Sequence, residues 1–275
     1  MKHILRVLLM LVVLAAILAG YIFWIEPNWI DVARHDLTVP SLPADFEGYT
    51  IVQISDIHID KREAGAYLRN AFKRINREKP DLIVITGDFV SSSSSPYFDD
   101  LDGLLSTLSA RDGVLAVLGN HDCWVGAGMV RDILDQAGVK DLTNDIFWAR
   151  RGDALLPIAG LDDGFSGFPD LEGVAEQIPE ALSAVVLIHE PDWADTIAPT
   201  GHFFLQLSGH SHGGQIVLPG MRPFILPWLA QKYYSGFNQV GDMQVYTNRG
   251  LGANHFHMRF NCRPEIAVFT LHALP

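Results

Sequence analysis

Charged side chains are absent from Val7 to Ile25, a run rich in Leu, Val, Ala and Ile. A helix needs about 20 apolar residues to cross a bilayer core, and this run fits. Lys2 and Arg6 precede it, and Tyr21, Phe23, Trp24 and Trp29 gather at its far end, as interfacial aromatics do. The competing reading is a cleaved signal peptide, whose apolar core is only ~7–15 residues and ends in a small-x-small site. Here the core is longer, and Ile17 or Leu18 stands three residues before any cut near Ala19-Gly20. The pattern therefore predicts an uncleaved anchor over residues 1–26. The basic residues lie before the span, which puts the N-terminus in the cytoplasm and the rest of the chain outside.

Residues 27–46 carry Pro27, Pro40 and Pro43 among scattered polar positions and read as a linker plus an edge element. From residue 47 to 275 the pattern is that of one domain. Short apolar runs at Tyr49–Ser55, Leu82–Thr86, Val114–Leu118, Ala184–Ile188 and Phe203–Leu207 predict strands. Helical spacing occurs at Ala66–Lys79, which stops at Pro80, at Asp99–Ser109, and at Met129–Ala137 before Gly138. Met243–Thr247 and Glu265–Leu271 predict closing strands, and the 220s to 260s otherwise read as long loops. Ser91–Ser95 reads as a polar loop. Continuously apolar strands alternating with helices predict an α/β fold with buried sheets.

Chemistry-bearing residues follow directly on the strands. Tyr49–Ser55 runs into Asp56-Ile57-His58, and Leu82–Thr86 into Gly87-Asp88. Val114–Leu118 runs into Gly119-Asn120-His121-Asp122, Ala184–Ile188 into His189, and Phe203–Ser208 into Gly209-His210-Ser211-His212. In open α/β sheets the functional crevice lies beyond the carboxyl ends of the strands, so five loops can deliver these side chains to one place. Each motif alone has a bland explanation, as a turn or a satisfied core histidine. Five in succession, each at a strand end, do not. Imidazole with carboxylate suits Mn, Fe, Zn or Ni. Seven candidate ligands (Asp56, His58, Asp88, Asn120, His189, His210 and His212) exceed what one tetrahedral ion takes. They suit two divalent ions, with Asp88 as the bridge beside a glycine that permits close backbone approach. Two ions clamp a phosphoryl group and activate water.

Charge changes the picture of the substrate. The net charge is -12, which argues against a nucleic-acid surface; bound cations can still attract a phosphate. Hydrophobic residues make up 48% of the chain, enough for a sizeable core. Cys123 and Cys262 are the only cysteines and make no disulfide framework; Cys123 reads as a small, partly buried apolar residue.

The series Asp-x-His, Gly-Asp, Gly-Asn-His-Asp, His, Gly-His-x-His resembles the calcineurin-like metallophosphoesterase superfamily, in the family's order, from about Tyr49 to the C-terminus. The resemblance implies a four-layer sandwich of two packed mixed β-sheets flanked by helices. It implies that Asp56, His58, Asp88 and His212 hold one metal and Asp88, Asn120, His189 and His210 the other. It gives His121 a catalytic role at the phosphoryl oxygens or leaving group, with Asp122 orienting and charging it. Gly209–Ile216, Leu218-Pro219-Gly220, Asn248–Gly252 and Arg259–Cys262 are similar to the membrane-associated bacterial branch, which includes phosphodiesterases and UDP-2,3-diacylglucosamine hydrolases. Ser211 replaces the commoner Thr, and the twin-Arg export signal of some members is missing.

The expected function is a membrane-anchored, two-metal phosphodiesterase or pyrophosphatase in the bacterial inner membrane, its catalytic domain on the periplasmic side. A metal-activated hydroxide would attack phosphorus directly, with Mn²⁺ favoured over Fe, Zn or Ni. The substrate would be a phosphodiester or lipid-linked phosphate beside membrane lipid, with no obligate protein partner. The alternative from another class is a catalytically silent, membrane-tethered metal-binding scaffold; it predicts a missing ligand or a missing His121-Asp122 pair. Arg249 reads equally as a substrate-phosphate contact or a structural ion pair. The apolar loop Pro223–Leu229 reads as domain packing or as an interfacial or acyl-chain contact. Substrate choice resides in loops around 91–98, 161–170 and 220–240, where no code is legible.

Overall fold

Strands that are apolar on both faces need cover on both faces. A computed structural model of the chain, describing residues 2–59, 65–91, 98–254 and 256–274, supplies that cover with two sheets packed face to face and helices outside each. The first sheet comprises β1 (Asp31–Val39), β2 (Tyr49–Ile54), β3 (Leu82–Thr86), β4 (Val114–Val117) and β5 (Lys140–Asp141). The second contains β6 (Asp145–Arg151), β7 (Ala154–Gly160), β8 (Ala184–Leu187), β9 (Phe203–Ser208), β10 (Gly236–Val240) and β11 (Met243–Thr247). The last strand, β12 (Glu265–Ala273), returns to the first sheet between β1 and β2. Strand order is β1-β12-β2-β3-β4-β5 in one and β10-β11-β9-β8-β7-β6 in the other. Both sheets are mixed: β12 runs antiparallel to β2, and β10 and β6 run antiparallel to their neighbours.

Alternation along the strands divides the core. Ile51, Val84, Leu115 and Val117 face Ile158, Val185, Leu205 and Leu207 between the sheets. Val52, Ile54, Ile83 and Ile85 point outward beneath the helices α2 (Ala66–Arg77), α3 (Phe98–Leu105) and α4 (Asn120–Gln136), numbered after the N-terminal helix α1 (Lys2–Gly20). Ala159, Val186 and Val245 pack on the outer side of the second sheet. The two sheets are stitched together at one rim. Gln53 Nε2 donates to Thr86 Oγ1 and to the Ser208 carbonyl, each at 3.0 Å. That bond set brings the carboxyl ends of β2, β3 and β9 together.

Helix α1 continues through a wider and a tighter turn to Asn28, giving a 27-residue apolar helical stretch long enough to cross a membrane. None of α1 packs on the domain, whereas the following turns do. The Arg259 amide donates to the Ile22 carbonyl at 3.1 Å, and Tyr21 meets the Phe260 ring edge-on. The Cys262 amide donates to the buried Glu26 carboxylate.

The expected edge element in 27–46 is β1, paired in parallel with β12 along its whole length. Three features differ from the sequence pattern. Helix α4 begins at Asn120, nine residues before the spacing becomes helical, and is interrupted at Gly126 by a φ of 134°. Strands β6 and β10 carry exposed positions and no continuous apolar run, while β7, apolar from Ala154 to Gly160, is not among the predicted strands. Residues 92–95 of the expected polar loop lie outside the described residues. Both cysteines are free, and Cys123 is partly buried as expected.

Candidate metal centre

Five strand-end loops meet at the stitched rim. Backbone bonds bring them there: Asp56 N donates to the Gly87 carbonyl, His58 N to the Asp88 carbonyl, and Gly209 N to the His189 carbonyl. The approach at Gly87 is close; with a φ of 89°, a Cβ there would stand 2.6 Å from His189 Nδ1 and 2.7 Å from Gly119 N. Asp56, His58, Asp88, His210 and His212 all hold positive φ, between 45° and 70°. Such backbone costs about 1–3 kcal/mol per residue and persists where surrounding structure enforces it, commonly at functional sites.

Asp88 occupies the middle. Its Oδ1 accepts from the His121 amide at 3.0 Å. Its Oδ2 lies 3.4 Å from His58 Nε2 and 3.2 Å from His189 Nε2. On one side, Asp56 Oδ1 lies 3.3 Å from His212 Nε2, which is itself 3.0 Å from His58 Nε2. On the other, Asp88, His189 and His210 bring one donor atom each within 4.8 Å of the others, as Asp56, His58 and His212 do.

The donors behave as cation ligands. His189 donates Nδ1–H to the Thr86 carbonyl at 2.6 Å, which leaves Nε2 as a lone pair; that buried atom makes no hydrogen bond despite its nearness to Asp88. His210 donates Nε2–H to the Trp228 carbonyl at 2.9 Å and keeps Nδ1 free. Asn120 Oδ1 is buried with no hydrogen-bond partner. Buried polar atoms are ordinarily paired, so lone pairs converging without protons between them fit bound cations. Second partners that fix the tautomer are what metal-ligating histidines use.

Electrostatics agree for His58 and His210; at His189 burial favours the neutral ring, but the Asp88 carboxylate outweighs it and raises the imidazole well above its ordinary range, a proton that a bound cation would displace. Burial pushes His58 and His210 down to about 4 and keeps them neutral. Burial would raise Asp88, but His189, His58 and His121 outweigh it and hold the carboxyl well below its ordinary range. Burial is the largest influence on Asp56 and raises it to about 6, with the Asp88 charge adding to it. Two carboxylates crowded out of water are stabilised by a cation between them.

Two expectations are corrected. Asp122 does not orient His121. Its Oδ1 accepts from the Phe89 and Val90 amides and its Oδ2 from the Gly119 amide. Adjacent residues on a helix do not face each other, so the first turn of α4 sends the two side chains to different sides. Asp122 ties the loop after β3 to the loop after β4. His121 is held instead by the Ser91 carbonyl, 2.8 Å from Nδ1, with the Asn254 amide 3.5 Å from Nε2. Arg249 is likewise structural: Nε donates to Glu265 at 3.1 Å and a terminal nitrogen to Asp31 at 2.9 Å, joining the starts of β1 and β12.

Arg259 opens one of the motifs behind the resemblance, but no pattern gave the role of its buried guanidinium. It donates to the carbonyls of Arg249, Gly250, Gly252 and Cys262. That loop in turn covers Asp56, with Gly252 N donating to the Asp56 carbonyl at 2.7 Å. Arg259→Met leaves buried carbonyls unpaired at ~1–3 kcal/mol each. We expect thermal unfolding to show a loss of at least about 3 kcal/mol; a wild-type melting temperature would contradict this role. An aromatic row also escaped the sequence reading. Trp124 stacks beside His121, Phe165 meets Trp124, and Trp228 meets Phe165 at ring separations of 4.9, 5.6 and 5.2 Å.

Two mixed sheets in a sandwich, with paired carboxylate–imidazole groups at their shared rim, define a metal-dependent phosphoesterase. The chain belongs to the calcineurin-like phosphoesterase family, whose model matches residues 49–217. That family uses a dinuclear divalent metal site, and this chain has the metal-binding groups for it. The chain is 37% identical to the uncharacterized metallophosphoesterase YkuE of Bacillus subtilis, over 92% of this chain and 89% of that one. It is 29% identical to the phosphodiesterase YaeI of Escherichia coli, over 92% of both. It is 27% identical to the UDP-2,3-diacylglucosamine pyrophosphatase LpxG of Chlamydia muridarum, over 92% of this chain and 94% of that one. A dimetal phosphatase from Danio rerio shares the fold at a TM-score of 0.53 and 14% identity, over 82% of this chain and 93% of that one.

Proposed function

We propose that the chain is a membrane-anchored, two-metal phosphodiesterase or pyrophosphatase acting on a lipid-linked phosphate. One observation carries this reading: Asp88 Oδ2 stands between His58 Nε2 and His189 Nε2, so one carboxylate serves two ligand groups. Asp56, His58, Asp88 and His212 would hold one ion, and Asp88, Asn120, His189 and His210 the other. Manganese is our choice for both, with Fe, Zn and Ni also suited to an imidazole–carboxylate set. When bound, the two ions supply Lewis acidity and lower the pKa of water.

The chain's own residues do the rest. His121, with Nδ1–H donating to the Ser91 carbonyl, would act as the imidazolium: it gives its second proton, on Nε2, to the leaving oxygen and is left neutral with Nδ1–H still in place. Asp122 fixes the loops that carry Asp88 and His121. The similarity to the phosphodiesterase YaeI and to the UDP-2,3-diacylglucosamine pyrophosphatase LpxG supports diester and pyrophosphate chemistry on a substrate that carries acyl chains. The apolar stretch Lys2–Asn28 supports the anchor. Lys2 and Arg6 before it support a single pass through a bacterial inner membrane with the catalytic domain on the periplasmic side.

Purified full-length chain supplied with Mn²⁺ is expected to hydrolyse bis(p-nitrophenyl) phosphate, and excess chelator to reduce turnover to background. Ligation requires deprotonated donors, so metal loading is expected to strengthen as pH rises. Unchanged turnover in excess chelator would overturn the proposal.

A further inference from the structure

An apolar cleft of about 470 Å³ opens directly beside the metal centre. His210 and His212 belong to its wall, together with Ile216, Phe224, Ile225, Leu226, Phe256 and Met258. Its volume is that of a site for a small molecule, ~300–1,000 Å³. Its mouth is unusually apolar: Ile225 is 83% exposed, Phe224 69% and Phe256 66%. Exposed apolar side chains grouped in one patch mark a binding surface.

The position of the cleft selects its occupant. Met258 and Phe256 lie on the short segment that also receives the end of the apolar helix. Arg259 N bonds to Ile22 O, Phe260 meets Tyr21, and Cys262 N bonds to Glu26. One wall of the cleft is therefore anchored to the point where the helix leaves the membrane. His210 and His212, two candidate ligands of the phosphate-binding ions, line the same cleft. We infer that the cleft binds a long acyl chain of the substrate, leading it from the bilayer beside the helix so that its phosphate arrives at the metal centre. This rests on the proposed phosphoesterase function and names the tail that site would select.

Two readouts on full-length protein in mixed micelles test it. The first is photolabelling with a didodecanoyl phosphodiester that carries a diazirine at the end of one chain. Label is expected on residues 224–227 and 256–258, and is expected to fall at least about tenfold in Ile225→Asp, the effect of roughly 1.4 kcal/mol. Ile225 and Phe256 are surface positions, so Ile225→Asp and Phe256→Asp leave folding intact. The second is the ratio of kcat/KM for didodecanoyl over dibutanoyl glycerophospho-p-nitrophenol, expected to exceed about ten in the wild type and to approach one in both variants. Label elsewhere, or a ratio the variants do not move, overturns the inference. An effect of the variants on vesicles but not in micelles also overturns it, by assigning the patch to bilayer seating. Labelling requires no turnover, so the cleft and the phosphoesterase reading fail separately.

Discussion

Asp88→Ala is expected to lower kcat/KM on bis(p-nitrophenyl) phosphate by at least about a thousandfold, equivalent to roughly 4 kcal/mol of transition-state stabilisation. Three contacts support the size of the effect. The His121 amide fixes Oδ1, and Oδ2 faces His58 on one side and His189 on the other. Removing the carboxylate takes a donor from both ligand groups at once. The same change frees the amide of His121, so the catalytic imidazole loses part of its support. Asp88→Asn keeps the shape and the bond from His121 but removes the charge. It is expected to fail nearly as badly, which separates loss of charge from loss of packing. A variant within a few-fold of wild type would remove Asp88 from the centre of the site.

His121→Ala is expected to cost about 10²–10⁴-fold in kcat, the range for general acid–base catalysis, while metal content stays close to wild type. The loss depends on the leaving group. A nitrophenolate departs without help, whereas an alkoxide needs a proton, so the alkyl diester shows the larger loss. The geometry behind this is the Ser91 carbonyl at Nδ1, which directs Nε2 toward the site and places Asn254 next to it. Equal losses on aryl and alkyl diesters would contradict proton donation and leave His121 as a binding group.

Much of this candidate site was legible because each candidate ligand follows an apolar strand. Asp56, His58, Asp88, Asn120, His189, His210 and His212 are all brought to one rim, since parallel strands buried on both faces end where the next layer cannot cover them. The apolar strands predicted an α/β fold with buried sheets, and the resemblance to the family implied their arrangement as two packed sheets. In the hairpin β6–β7, β6 was hidden because Asp145 and Arg150 face solvent and break the apolar run, whereas β7 is apolar throughout but carries Pro157, a poor strand residue. The start of α4 was hidden because Gly119-Asn120-His121-Asp122 has turn composition, while the structure uses it as a helical first turn.

The roles of charged residues were least legible. Asp122 follows His121 in sequence and suggests a dyad, yet the helix separates their side chains and three backbone amides claim the carboxylate. Arg249 sits in a motif that invites a phosphate contact, but Glu265 and Asp31 are distant in sequence and only the fold brings them to it. Arg259 is invisible for the opposite reason. Its partners are carbonyl oxygens, which no side-chain pattern records. The row from Trp124 through Phe165 to Trp228 joins helix α4 to two loops widely separated from it in sequence.

The shared carboxylate is the claim on which the rest depends, and metal content tests it most directly. Full-length wild type and Asp88→Ala, loaded with Mn²⁺ and freed of excess ion, are compared by elemental analysis against protein concentration. The account predicts two ions per wild-type chain and fewer than about one in the variant, because each ligand group loses the donor they have in common. Two ions retained by the folded variant, or a single ion in the wild type, would contradict it.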